Sequence, residues 1–188
     1  MKKLSLFVFL LFLSIGLFGC QQSGEGEELK NEIIENTNGS TAQNLPKLMP
    51  GDFDFSIQFD VQKKNEMNTF VGMVTKDLIA DGIASSDLIL TEEEMEDIYR
   101  KMVEIKITEP KEFTPEPING EVCTQEPYEE DEWNIVINGE TLTHLISGSF
   151  CEPTDDAKQL IELRNYVFNI VKSKDEYNSL PESHGGYE

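Results

Sequence analysis

The stretch DFDFSIQFDV, residues 52 to 61, constrains the fold more than any other part of the chain. Phe53, Phe55, Ile57, Phe59 and Val61 alternate strictly with Asp52, Asp54, Ser56, Gln58 and Asp60. Successive side chains of a strand point to opposite faces, so this period of two demands an extended segment with one dry face and one wet face. A strand of that kind belongs to an antiparallel sheet with its dry face covered.

The segments that follow supply sheet neighbours and cover. KKNE (63–66) reads as a turn, MNTFVGMVTKD (67–77) as a second strand and ASSDLILT (84–91) as a third, with the turn signal Asp81-Gly82 between them. Three strands in succession predict an antiparallel meander. Thr91 followed by Glu94 is a capping box. Met95, Ile98, Tyr99, Met102 and Val103 then recur at helical spacing, which predicts an amphipathic helix near 92–104. Pro110, Pro115 and Pro117 mark an irregular crossing. Asn138-Gly139 between apolar runs predicts a two-residue hairpin that pairs Ile137 with Glu140, Ile135 with Leu142 and Trp133 with His144. Thr154 caps a last helix near 155–172, apolar at Leu160, Ile161, Leu163, Val167, Phe168, Ile170 and Val171. The expected architecture is one α+β domain over residues 51–188, an antiparallel sheet of a three-strand meander plus a hairpin, packed by two helices.

Upstream of that domain, Lys2 and Lys3 precede an apolar run from Leu4 to Phe18 broken only by Ser5, Ser14 and Gly16. A charged start and a short apolar core are the marks of a secretory signal over residues 1–19, and the run falls short of the roughly 20 residues that span a bilayer. Leu17-Phe18-Gly19-Cys20 resembles the lipobox of bacterial lipoproteins, with Phe18 in place of the usual small residue. The resemblance implies that the Cys20 thiol receives a diacylglyceryl group and that cleavage leaves Cys20 as the lipidated first residue, as in proteins that also carry palmitate. An ordinary cleaved signal with an incidental cysteine is the alternative. Residues 20–50 read as the lipidated cysteine and a flexible linker rich in Gln, Ser, Gly, Glu and Asn, with a reach of roughly 30 Å. The expected location is the extracytoplasmic face of the cell membrane, the lipid bilayer being the partner that Cys20 engages.

Charge and cysteines narrow the function classes. The chain has 36 acidic and 15 basic residues, a net charge of −21, and loss of the two signal lysines makes it −23. A surface of that sign repels nucleic acid, so DNA or RNA binding is excluded. With Cys20 assigned to lipid, Cys123 and Cys151 remain as a pair in an oxidising compartment, where a structural disulfide is expected.

No catalytic, cofactor-binding or metal-binding residue is assigned. His144 and His184 are too few for a zinc site, and His144 reads as the packed partner of Trp133. No serine sits in a G-x-S-x-G elbow, and Ser147, Ser149 and His144 show no triad arrangement. The acidic run Glu129 to Glu132 reads as a solvated loop, and Lys76-Asp77 as a turn with a surface ion pair. Trp133, Tyr128 and Tyr177 read as core closers rather than a groove. Two function classes remain: a membrane-tethered, non-enzymatic module that binds an envelope protein or a small ligand, and a cell-wall-directed hydrolase working through acidic residues.

Thr75-Lys76-Asp77, LTEEEMEDI (90–98), the Asn-Gly hairpin, DDAKQLIEL (155–163) and the ending SKDEYNSLPESHGGY (173–187) together resemble a group of small uncharacterised lipoproteins of low-GC Gram-positive bacteria. The resemblance covers most of residues 52 to 187. It implies no activity, no cofactor and no catalytic residue.

Overall fold

Six antiparallel strands form one sheet in the order β4-β3-β2-β1-β5-β6. The computed structural model describes residues 45–187. Cys20, the signal segment and most of the expected linker lie outside the described residues. The strands are β1 (Asp54–Phe59), β2 (Asn65–Asn68), β3 (Met73–Ile79), β4 (Gly82–Asp87), β5 (Glu130–Ile137) and β6 (Glu140–Ser147); the helices are α1 (Glu92–Glu104), α2 (Asp155–Lys172) and the short α3 (Asp175–Asn178).

The alternation of the first strand places its apolar side chains on the core face from Phe53 to Phe59; the strand ends there, so Val61, expected to continue the inward set, lies in the turn that follows, and Ser56 on the other face is buried as well. Phe55, Ile57 and Phe59 of β1, Met67 of β2, Val74 of β3 and Trp133, Ile135 and Ile137 of β5 are buried together with Ile98, Tyr99 and Met102 of α1 and Leu160, Leu163, Val167 and Val171 of α2. Both long helices occupy their expected spans because their ends are determined locally. The Thr91 hydroxyl accepts from Glu94 N while Thr91 N donates to the Glu94 carboxylate at 2.8 Å, and the Thr154 hydroxyl accepts from Ala157 N at 3.1 Å. The hairpin register also agrees residue for residue, Ile137 opposite Glu140, Ile135 opposite Leu142 and Trp133 opposite His144, with Asn138 and Gly139 at φ 53° and 76° in the turn.

The meander has four strands, not three. The expected single strand over 67–77 is cut by a turn at 69–72, where Gly72 takes φ 63° and the Thr69 hydroxyl closes on Phe55, accepting from its N–H and donating to its carbonyl at 2.8 Å each. Phe70 and Val71, which made the run read as continuous, are exposed at the tip of that turn. The expected linker also ends before 50. Leu45 and Met49 lie against the core, and the Tyr99 hydroxyl donates to Pro46 O at 2.8 Å.

The long crossing after α1 is stitched to the end of β6. Cys123 and Cys151 are joined as a disulfide with their Cα atoms 5.5 Å apart; Cys151 N donates to Cys123 O at 3.1 Å, and Gln125 N to Ser149 O at 2.7 Å. His144 sits opposite Trp133 as expected. Its Nε2 lies 2.9 Å from Ile107 O, its ring meets Phe113 edge-on, and burial holds its pKa below the ordinary histidine value.

Candidate functional site

Where β1 ends, the backbone takes conformations that side-chain-bearing residues avoid. Asp60, Gln62 and Lys63 have φ values of 77°, 59° and 55°. Asp60 holds the first bend with its own carboxylate, which accepts from Val61 N at 2.9 Å and Asn65 Nδ2 at 3.0 Å. Lys63 reaches across to β5 and pairs with Glu132 at 2.6 Å, and Glu130 N donates to Asp60 O at 3.2 Å. Surrounding bonds thus keep a sparsely populated backbone in place, a condition found most often at functional sites.

That loop forms one wall of a cleft of about 480 Å³ lined by Val61, Gln62, Glu126, Pro127, Tyr128, Glu130 and Tyr187. The opposite wall is the segment leading into β5. Tyr187 comes from the C-terminal tail, which runs beside the end of β3: Ser183 Oγ donates to Asp77 O at 2.6 Å, His184 N to Leu78 O at 3.3 Å and Ala80 N to His184 O at 3.1 Å. The Tyr187 hydroxyl donates to the Asp77 carboxylate and accepts from Lys64 Nζ at 2.9 Å, while Lys64 lies 4.8 Å from the ring centroid. The tail accounts for a correction: Asp77 is buried within β3 under Tyr187, and Lys76 points inward over the Tyr177 ring and pairs with Glu182 of the tail at 3.8 Å, so the two residues are in a strand and not a turn.

A second correction concerns the acidic run. Glu130 to Glu132 are in β5, and Asp131 follows the inward parity of Trp133 and Ile135, leaving it 3% exposed. Arg164 of α2 meets it with Nε at 3.3 Å, reaches Glu129 with a second nitrogen at 3.4 Å and lays its guanidinium 5.5 Å from the Phe59 ring centroid. Burial pushes the Asp131 carboxyl up to about 6 against the opposing pull of Arg164; Glu129 and Asp60 push it further in the same direction as burial.

The folded state therefore holds a proton on Asp131 that the unfolded chain releases nearer pH 3.8. The stabilisation is complete below that lower value and is lost as pH rises through about 6. From this group alone, unfolding free energy at pH 4.5 should exceed that at pH 7 by about 2 kcal/mol. Urea unfolding should show a change from pH 7 to pH 4.5 that is more favourable in the parent than in Asp131→Asn by about that amount, since Glu94, Glu132 and Asp156, whose carboxyls are lowered on folding, act in the opposite sense in both proteins. The same change in the variant would mean that other carboxylates carry it.

Of the three aromatics read as core closers, Trp133 and Tyr177 are in the core and Tyr128 lines the cleft. Tyr187 was missed as a site residue. No spacing rule links it to Gln62, 125 positions away in sequence. Chemically the cleft offers two phenol rings, an amide and two carboxylates, suited to holding a ligand by stacking and hydrogen bonds. A second hollow of about 730 Å³ lies beside the disulfide, between the crossing segment and the start of α2. Among the described residues, no group of three or more His, Cys, Asp or Glu is placed to hold a metal ion, and no helix is long and apolar enough to cross a membrane. No known protein family, curated protein or solved structure matches the chain.

Proposed function

We propose that this protein is a lipoprotein held by Cys20 on the outer face of the cell membrane, and that its folded body is a non-enzymatic binding module using the Tyr128–Tyr187 cleft for a small ligand or a segment of an envelope protein. The observation that carries the binding reading is the separation between this cleft and the buried carboxylates. Asp131, the carboxyl that burial holds toward its protonated form, is engaged by Arg164, and Asp77 by Tyr187, and neither lines the cleft; the two carboxylates that do, Glu126 and Glu130, are exposed and half-buried, whereas a hydrolase of the acidic type needs one carboxyl held protonated beside the substrate. The anchor rests on Lys2-Lys3, the short apolar run and Leu17-Phe18-Gly19-Cys20. The resemblance of its short motifs to small lipoproteins of low-GC Gram-positive bacteria points the same way.

Two measurements test this reading. Cys20→Ser should shift the protein from the membrane fraction to the soluble fraction or leave uncleaved precursor; a mature-size form still in the membrane would overturn the anchor. Incubation of the unlipidated chain with purified cell-wall polymer should release no soluble fragments. Release that Glu126→Gln or Glu130→Gln abolishes would replace the binding reading with the hydrolase one.

A further inference from the structure

Four large apolar side chains stand in water at one end of the sheet. Leu48 is 83% exposed, Ile89 81%, Val71 64% and Phe70 43%. Sheet connectivity places them together. Thr69 N donates to Phe55 O at the start of β1, and Leu88 N donates to Gly72 O, so the 69–72 turn and the 88–90 segment sit side by side; Val71 and Ile89 line the same shallow hollow with Asp54. Leu48 is on the segment that enters β1 from this end, held to the body by Pro46 O, which accepts from the Tyr99 hydroxyl, by Phe53 N, which donates to Pro50 O, and by the Phe53 ring packed on Tyr99. The other large exposed apolar residues are on different elements, Ile83 in β4, Leu145 in β6, and Ile118 and Tyr128 in the crossing.

A group of apolar loop tips on a strongly acidic chain needs a cover, and apolar patches of this kind mark protein or membrane contacts. The point at which the chain joins the body identifies which. Residues 45–50 run into β1 at this same end, and only 24 residues separate Leu45 from Cys20.

We infer that this end, Leu48, Phe70, Val71 and Ile89, rests on the bilayer surface beside the Cys20 anchor, with the apolar tips in the headgroup layer. This rests on the lipoprotein reading given above. A net charge of −23 after loss of the signal lysines repels anionic headgroups, so free protein has little affinity for the surface. The anchor removes that obstacle, because once one contact is covalent the second is intramolecular and forms at a high effective concentration. The cleft lies at the opposite end of β1, beyond Phe59, and this placement turns it away from the membrane toward the cell exterior.

The sole tryptophan, Trp133, is fully buried and serves as an internal reference. Lipidated full-length protein carrying Ile89→Trp is reconstituted in phosphatidylcholine vesicles with or without bromine on the acyl chains, beside Leu145→Trp, which places the new ring on the far strand. Both variants should float with the vesicles. Brominated lipid should quench the added emission of Ile89→Trp at least about twofold more than that of Leu145→Trp. Flotation with equal quenching at the two positions would overturn the inference and leave the anchor standing. Failure to float would overturn the anchor and the inference together. Equal quenching with a concentration-dependent dimer would assign the patch to a second copy of the chain.

Discussion

Phe55→Ala should lower the unfolding free energy of the chain from residue 21 onward by about 3–5 kcal/mol, while Asp54→Asn should change it by about 0.5 kcal/mol or less. The two residues are neighbours in β1 and face opposite ways. Phe55 is 0% exposed, its ring centroid 6.0 Å from that of Phe53 and 5.9 Å from that of Trp133, and its backbone pairs with Ile135 of β5. Truncation there removes contacts with several elements at once and leaves a cavity that the flanking strands cannot fill by moving. Asp54 is partly exposed on the wet face opposite Val136. Urea unfolding of the two variants beside the parent checks the difference. Similar losses at both positions would mean that β1 has no preferred face.

The second large effect belongs to the disulfide. Replacing Cys123 and Cys151 by Ser should cost about 3–4 kcal/mol, because the bond closes a loop across 28 residues, the whole β5–β6 hairpin included, and so restricts the unfolded chain. For a body of this size that corresponds to a fall in melting temperature of roughly 10 °C. The loss should be local in its first consequence. The segment from 118 to 127 is joined to the end of β6 by the Thr124–Phe150 bridge and the Gln125 N bond to Ser149 O, next to the bonded cysteines, and it continues into the Glu126–Tyr128 wall of the cleft. Amide exchange in 118–128 should therefore accelerate in the Ser/Ser variant more than exchange in β1. A melting temperature within about a degree of the parent would show that packing alone orders the crossing. Non-reducing peptide mapping of the parent should recover the two cysteines as one joined pair.

How far the fold could be read without coordinates depended on the distance over which each decision is made. The α1 and α2 boundaries were legible because a capping hydroxyl and its N–H partner lie three residues apart. The β5–β6 register was legible because a two-residue turn leaves one pairing. The inward set of β1 was legible from Phe53 to Phe59 because apolar and polar residues alternate there, whereas the end of the strand before Val61, set by the bend at Asp60, was not. The 67–77 run was not: Thr69 and Gly72 break it, and the break depends on Phe55, 14 residues upstream of Thr69. Asp131 carried a signal that composition hid. It shares the parity of Trp133, Ile135 and Ile137, but inside four consecutive acids it looked like part of a solvated run.

By itself the sequence determined the caps and apolar stripes of two helices, the inward apolar set of the first strand and the Asn-Gly hairpin, since each is written within a window of a few residues and needs no partner elsewhere to be recognised. Tertiary structure decided the fourth strand of the meander, the pairing of Asp131 with Arg164 across 33 positions, the tail that carries Tyr187 to Asp77 across 110, and hence the cleft itself. Those features exist only after β1, β5, α2 and the tail have met, and which residues meet is set by the packing of the whole sheet against its helices, a sum of many contacts that no local stretch contains.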